Sequence, residues 1–356
     1  MSKLNISIQI PSRWVGPIHI INDEFESKLM VPMATFETPL WPSTDRGARA
    51  TSLAGGIQTV LIDDRMSRSI LLEAPDAREA WSILQDLLSR SSEIETVISK
   101  GSRFAKFKNL NHQLVGNLIY LRIEITSGDA SGHNMVTNAA ESVMNWALTT
   151  YPKLQYVSIS ANYCTDKKVS AVNGVLGRGK AVIAETLISP DICHKILRTT
   201  PQKLVDLHIK KNLLGGLLAG SIRSANAHFA NMLLAIYLAT GQDAANIIEG
   251  SQGIVHAEVR PEGLYFSVTL NNLIVGTIGN GKDLDFAEEN LAEMGCLNPN
   301  AEPGANSRRL AIIIASAVLC GELSLLAAQT NPGELMRSHI AIERRKQFPE
   351  TGEKNA

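Results

Sequence analysis

Two apolar runs within residues 18–33 flank the turn pair Asn22-Asp23 and predict a β-hairpin. Residues 32–50 break that rhythm. They are irregular and polar, with Pro39, Pro42 and Gly47 set among Glu37, Asp45, Arg46 and Arg49, and a helix is expected after Asp45. A strand follows at 58–64. From Ser69 the pattern becomes strand 70–72, helix 75–88, strands 104–111 and 117–126, helix 132–149 and strand 154–160. Pro75 and the potential cap Asp76 mark the first of these helices. The order β-α-β-β-α-β is that of a split βαβ, or ferredoxin-like, unit. After Lys168 helical patterns dominate, at 190–197, 201–207, 225–240, 285–294, 306–330 and 334–344, with strands at 182–185 and 263–270. Gly241 and Gly295 stand where glycine closes a helix.

These elements predict an α+β fold. A large helix-rich domain, 1–68 and 161–344, would be interrupted by a ferredoxin-like subdomain at 69–160 and followed by a polar, disordered tail at 345–356. One run approaches membrane length, residues 310–328, and it contains Glu322. A carboxylate near a bilayer centre costs about 2.5–3.5 kcal/mol on insertion scales, so a buried helix is expected instead. The first 13 residues alternate apolar and polar and lack the apolar stretch of a signal peptide.

Composition adds little to the fold and more to the setting. With 44% hydrophobic and 19% charged residues the 356-residue chain reads as soluble and globular, and with 5% aromatics its core is aliphatic. A net charge of −1 gives no field for steering nucleic acid and no basic arm. Cys164, Cys193, Cys296 and Cys320 are widely spaced and form no C-x-x-C pair, so neither zinc nor a disulfide framework is indicated. A reducing cytoplasm fits.

The densest chemistry lies in Ser160-Ala161-Asn162-Tyr163-Cys164-Thr165-Asp166-Lys167-Lys168, after a strand and before Gly174, Gly177 and Gly179. Such a loop presents substrate-binding groups or is a solvated turn. The glycine loops at 174–180 and 276–282 nearly match a P-loop. Ala181 and Asp283 stand where magnesium needs a hydroxyl, which disfavours an ATPase. Neither is a Rossmann fingerprint. Ser127-Gly128-Asp129-Ala130-Ser131-Gly132-His133-Asn134 joins a strand to a helix whose N–H groups suit a pyrophosphate, or it is a capped glycine turn. Asp243 is placed to cap the helix after it. Asn226, His228 and Asn231 are read on one helix, as structural groups or as site lining. Glu37 and His339 are, in isolation, ordinary surface residues.

Together these stretches resemble hydroxymethylglutaryl-CoA reductase. The loop at 159–168 looks like that family's signature, as do Gly177-Arg178-Gly179-Lys180, Ser127-Gly128-Asp129-Ala130, Val31-Pro32-Met33-Ala34-Thr35 with Glu37, and Ser43-Thr44-Asp45-Arg46-Gly47. Lys211-Asn212-Leu213, Ala219-Gly220-Ser221, Asn226-Ala227-His228, Gly241-Gln242-Asp243-Ala244-Ala245, Pro303-Gly304, Gly321-Glu322-Leu323-Ser324-Leu325 and Ser338-His339 follow in order. The Asp-Lys-Lys and Ser-Thr-Asp-Arg-Gly segments are similar to the class I branch, without its membrane anchor.

The resemblance implies NADPH-dependent reduction of 3-hydroxy-3-methylglutaryl-CoA to mevalonate and CoA. By position Lys167 would stabilise the oxyanion, His339 protonate the CoA thiolate, Glu37 protonate the alkoxide and Asp243 link Lys167 with Glu37. Glu37 would need burial or a neighbouring carboxylate to stay protonated. Arg68, Ser160, Asp166, Lys168, Lys211 and Asn231 would bind the hydroxymethylglutaryl part, and Ser43, Asp45 and Arg46 the CoA. Ser102, Arg103, Asp129, Gly132, Asn134 and Gly279 would follow the nicotinamide cofactor, with NADH as the alternative to NADPH. A homodimer or homotetramer with sites between subunits is implied, and no metal. Gly279-Asn280-Gly281, Arg223-Ser224, Ser131, His133 and Asn138 depart from the family pattern near cofactor or CoA. Arg345 stands at a position that is a regulatory serine in some members. The competing reading is a CoA- or dinucleotide-binding homologue without reductase activity.

Overall fold

The computed structural model describes residues 8–343, with the side chains of 338, 339 and 341–343 outside that description. The tail at 345–356, including Arg345, also lies outside it. Strands β1 (Ser12–Ile21) and β2 (Glu26–Ala34) form the expected hairpin. Next comes β3, Ile57–Glu73, a single strand of 17 residues. The sequence suggested two strands, at 58–64 and 70–72. The stretch from Asp63 to Ser69, which spans the gap between them, stays extended because its charged side chains find partners. Asp63 and Arg65 pair with each other, and Arg65 Nη1 reaches Glu124 Oε2 at 2.7 Å.

Strand β3 belongs to two sheets. Its first half pairs antiparallel with β7 (Gly179–Ile188) and touches β1 in parallel at Ile57 and Gln58; β8 (Gly253–Arg260) and β9 (Gly263–Leu273) complete the order β2-β1-β3-β7-β9-β8. Its second half, from Met66 to Glu73, pairs with β5 (Leu118–Ile125), and its end with β6 (Gln155–Ser158); β4 (Phe107–Val115) lies outside β5. β3 and β4 therefore run the same way with β5 antiparallel between them, the strand arrangement of a split βαβ unit. Helices Ala77–Ser89, Ser91–Gly101 and His133–Thr150 supply this sheet's crossovers. Asp76 caps the first, accepting the Glu79 N–H at 2.9 Å.

Each sheet has its own aliphatic core. Ile70, Leu72, Leu121, Ile123 and Val143 lie in one. Val182, Phe266, Val268 and Leu270 pack in the other with the central helix Ala305–Gln329. That helix is buried on all sides, and Glu322 sits within it at 0% exposure. An all-round apolar helix of this kind is a core helix when protein surrounds it.

Three local expectations shift. Helix Leu40–Leu53 begins before Asp45, because Pro42 is tolerated in a first turn. Helix Phe229–Ala239 begins after Asn226 and His228, so these are not on it with Asn231; the Asn226 side chain instead accepts the Phe229 N–H at 3.2 Å. Strand β8 was not anticipated, although Val255 and Ala257 are buried and His256 and Glu258 are not, an alternation visible in the sequence.

Candidate active site

The loop from Ser160 to Lys168 leaves β6 through backbone conformations that side chains rarely adopt. Asn162, Thr165 and Lys167 have φ of 59°, 45° and 55°. Each left-handed L-residue costs about 1–2 kcal/mol, so other groups must hold the loop. Ser69 Oγ accepts the Cys164 N–H at 3.0 Å, and Asn173 Nδ2 donates to Thr165 O at 2.9 Å. Glu249 Oε1 accepts the Lys167 N–H at 3.0 Å.

Lys167 Nζ lies 2.7 Å from Asp243 Oδ2, with the two side chains 40% and 45% exposed. The hydrogen bond to Asp243 raises the ammonium above the ordinary lysine range. Burial alone would lift the Asp243 carboxyl, but the Lys167 hydrogen bond and the Ala245 N–H hold it below the usual aspartate range. The pair is thus charged at neutral pH. Asp243 also caps the turn Ala244–Asn246 as the sequence suggested.

Asp166 is gathered from three sides. Arg178 Nη1 stands 3.0 Å from Asp166 Oδ1, Arg68 Nη2 3.8 Å from Oδ2, and His133 Nε2 3.7 Å from Oδ1. Burial, and next the Arg178 charge, push the His133 imidazole down to about 4, so it is neutral at pH 7. Arg68 Nη1 also donates to Ser160 Oγ at 3.4 Å, and Lys168 Nζ to Asp166 O at 3.2 Å. Arg68, Ser160, Asp166, Lys167, Lys168 and Asp243 therefore form one group.

A second group lines a cavity of about 590 Å³ between helices Leu40–Leu53 and Ala305–Gln329; Glu37, Ser43, Asp45, Arg46, His228, Asn231 and Glu334 are in its wall. Asn231 Nδ2 donates to Glu37 Oε2 at 3.0 Å. Ser43 Oγ and Arg46 Nε both reach Ser324 Oγ at 3.0 Å, and Arg46 Nη1 reaches Glu334 Oε1 at 2.7 Å. Beneath the cavity, Glu322 accepts the Ala227 and His228 N–H groups at 2.5 and 3.1 Å. Its complete burial lifts its carboxyl to about 7 against those bonds and the nearby Lys211 ammonium. Lys211 itself is drawn below the lysine range by burial, which Glu322 opposes.

Glu37 corrects one expectation. It is exposed, not buried, and its hydrogen-bond partner is Asn231 rather than Asp243. Among the described residues, no hydrogen bond or ion pair joins the Glu37 cavity to the Lys167 group. His339 belongs to helix Glu334–Glu343, and its side chain is outside the described ones.

The nicotinamide candidates meet at a third place. Asp129 Oδ1 accepts the Ser307 N–H at 2.9 Å, and Asp129 O the Thr277 N–H at 2.8 Å, which draws the Gly279 loop against Ser127–Gly132. Gly279 and Gly132 have φ of 98° and 94°; a Cβ at Gly132 would lie 2.8 Å from the Ser127 side chain, so both shape and space require glycine there. Asn134 is exposed at the start of its helix, and Ser102 Oγ accepts the Phe104 N–H at 3.2 Å. A cavity of about 770 Å³ adjoins, walled by Arg103, Lys106, Lys108, Arg308, Asp64 and Gly128.

Residues 6–344 match the family model of hydroxymethylglutaryl-coenzyme A reductase. The chain belongs to this family. Among its relatives, the 3-hydroxy-3-methylglutaryl-coenzyme A reductase of Pyrococcus abyssi is 43% identical over 339 residues, 95% of this chain and 83% of the relative. A plant member, reductase 1 of Oryza sativa subsp. indica, is 40% identical over 342 residues, covering 95% of this chain and 62% of its own. Of solved structures, a class II 3-hydroxy-3-methylglutaryl-CoA reductase from Streptococcus pneumoniae, bound to NADPH in open conformations, superposes with a TM-score of 0.72 at 18% identity, over 93% of this chain and 88% of that one. That likeness is one of fold. As a member of the hydroxymethylglutaryl-coenzyme A reductase family the protein is an oxidoreductase.

Several residues of this reductase-family site were not singled out in the sequence. Lys195 and Arg198 add positive charge to the cavity wall, beside Arg49, which the sequence placed only in a polar stretch. Arg178 and Glu249 lie under the Lys167 loop. Arg178 was within a motif quoted as a resemblance, but no local pattern said that its side chain is buried among carboxylates.

Proposed function

We propose that the protein reduces 3-hydroxy-3-methylglutaryl-CoA to mevalonate and free CoA, with two hydrides from NADPH. The observation that carries this reading is the Lys167–Asp243 pair, a partly exposed ammonium held at 2.7 Å on a strained loop. Hydride arriving at a thioester carbonyl creates an oxyanion, and a fixed cation beside it lowers the barrier. Lys167 is that cation. Collapse of the oxyanion breaks the carbon–sulfur bond and releases CoA thiolate. His339 protonates the thiolate. After the second hydride, Glu37 protonates the alkoxide; exposed in the single chain, it gains the burial and the neighbouring Asp243 carboxylate that keep it protonated when a second copy brings the two together. Arg68 and Lys168 suit the free carboxylate of the substrate, with Ser160, Asp166, Lys211 and Asn231 around it. Arg46, Arg49, Lys195 and Arg198 give the other cavity a wall suited to the phosphates of CoA, with Ser43 and Asp45 beside them.

The residues at the third place fit a dinucleotide phosphate. Arg103, Lys106, Lys108 and Arg308 supply cations around one cavity, Gly128 of the Asp129 loop adds backbone to its wall, and the Gly279 loop is tied to that loop by the Thr277 N–H on Asp129 O. When bound there, NADPH supplies the hydrides. Arg103 stacks over the Phe104 ring at 4.6 Å, which leaves its guanidinium oriented. It is the proposed partner of the 2′-phosphate, which NADH lacks.

Glu37 and Lys167 are apart in one chain, and a second copy would bring them together. A homodimer, or a homotetramer built from it, is supported by apolar side chains left exposed on the single chain, Val175 at 66%, Leu217 at 77% and Leu218 at 89%. A class I-like member is supported by the Asp-Lys-Lys loop and by 40–43% identity to the archaeal and plant relatives against 18% to the class II structure. A reducing, cytoplasmic setting is supported by four cysteines that are all free and buried.

The test is oxidation of NADPH and NADH on adding hydroxymethylglutaryl-CoA, in the native protein and in Arg103→Ala. NADPH should be preferred, and the substitution should raise its KM about 10–100-fold, the loss of one charge-assisted contact of about 1.5–3 kcal/mol, while leaving the KM for NADH nearly unchanged. Oxidation of neither cofactor would favour a binding protein without reductase activity. Equal losses for both would remove Arg103 from the 2′-phosphate.

A further inference from the structure

One short segment holds Lys167 at both ends. Asp243, which caps the turn Ala244–Asn246, takes the ammonium at 2.7 Å. Glu249, in the helix Ile247–Gly250 that follows directly, takes the backbone N–H at 3.0 Å. The side chain of Glu249 is completely buried, and its Oε1 also accepts from Arg178 Nη1 at 3.0 Å and Asn246 Nδ2 at 3.2 Å. Arg178 is equally buried. Its Nη1 lies 3.0 Å from Asp166 Oδ1, and its own N–H is fixed by Asn272 Oδ1 at 2.8 Å.

A buried ion pair adds little net stability, because desolvation offsets the attraction. Its consequence here lies in what it holds. Lys167 has φ of 55°, so the loop does not keep this shape by intrinsic preference. A freed backbone would let the exposed ammonium swing off Asp243. We propose that Glu249, oriented by Arg178, is a positioning residue for Lys167: it fixes the strained backbone so that the ammonium stays on Asp243 and faces the reacting carbonyl. This rests on the reading of Lys167 as the oxyanion's cation.

Two substitutions separate the grip from mere packing. Glu249→Gln keeps an acceptor for the Lys167 N–H and removes the charge. Glu249→Asp keeps the charge beside Arg178 and withdraws the acceptor by one methylene. Single-turnover oxidation of NADPH with hydroxymethylglutaryl-CoA gives a rate and an amplitude, the latter counting intact sites. A misplacement of about 1 Å at a reacting group costs on the order of 10²-fold. Glu249→Asp should lose about that factor in rate at full amplitude and unchanged KM, and Glu249→Gln should retain most of the rate. Full rate in Glu249→Asp, or loss of amplitude at unchanged rate in either variant, would overturn the proposal.

The second readout needs no turnover. Titration of the Lys167 ammonium by NMR of lysine-labelled protein should return toward the ordinary lysine value in Glu249→Asp and stay raised in Glu249→Gln. An unmoved Lys167 titration in Glu249→Asp would overturn the grip even where the native protein reduces the thioester. A native protein without turnover would instead refute the reductase reading, and the titration would still decide the grip.

Discussion

Replacing Lys167 with alanine is expected to lower kcat on hydroxymethylglutaryl-CoA on the order of 10³-fold while CoA affinity and thermal stability stay near native. Removing one oxyanion donor costs about 10²–10³ in kcat, and Lys167 brings a full charge, which places it at the upper end. The fold should tolerate the change. At 40% and 45% exposure, neither Lys167 nor Asp243 leaves a dry, orphaned charge behind. Alanine meets the same left-handed backbone cost as lysine, and Glu249 still accepts the residue's N–H. Arg46, Arg49 and Arg198, the cations proposed for the CoA phosphates, lie in the other cavity and are untouched. Steady-state kinetics, CoA calorimetry and a melting curve check the three parts. A near-native kcat would remove Lys167 from the mechanism.

The second large effect is structural and falls on Gly47→Ala. A Cβ at Gly47 would lie 2.0 Å from the carbonyl oxygen and 2.8 Å from the Cα of Cys320, which are backbone atoms of helix Ala305–Gln329 and cannot turn aside. Helices Leu40–Leu53 and Ala305–Gln329 must therefore part. Overpacking of this kind costs about 1–3 kcal/mol, and each kcal/mol lowers Tm by roughly 2–4 °C in chains somewhat smaller than this one. The same contact positions the cavity, since Ser43 and Arg46 lie on the first helix and bond Ser324 on the second. Gly47→Ala should thus lower Tm by several degrees and weaken CoA binding together. An unchanged melting curve would show that the helices do not approach as closely as described.

The fold was legible where local chemistry and tertiary demand agree. Asp76 caps a helix and Asn22-Asp23 turns a hairpin in the structure as in the sequence. The helix around Glu322 was legible because its carboxylate excluded the membrane alternative. Strand β3 was read as two because Arg65 and Arg68 look like a break after Asp64; Glu124 and Asp166, both distant in sequence, pair with them in the folded chain. Asn226 and His228 were read as helical because propensity does not show that an asparagine side chain will replace the first turn's bond. Within the site, the Lys167–Asp243 partnership came from resemblance and is now a distance. Glu249 had no local signal at all. Its role depends on Arg178, and on a backbone N–H of a loop that only the folded chain brings near.

The proposed reduction delivers two hydrides to the same thioester carbon. Incubation of the native protein with hydroxymethylglutaryl-CoA and NADPH deuterated at its transferable position measures this directly. The expected product is mevalonate carrying two deuterons on the former thioester carbon, with two cofactors oxidised for each CoA thiol released. Release of CoA with an undeuterated free acid, or no release at all, would contradict it.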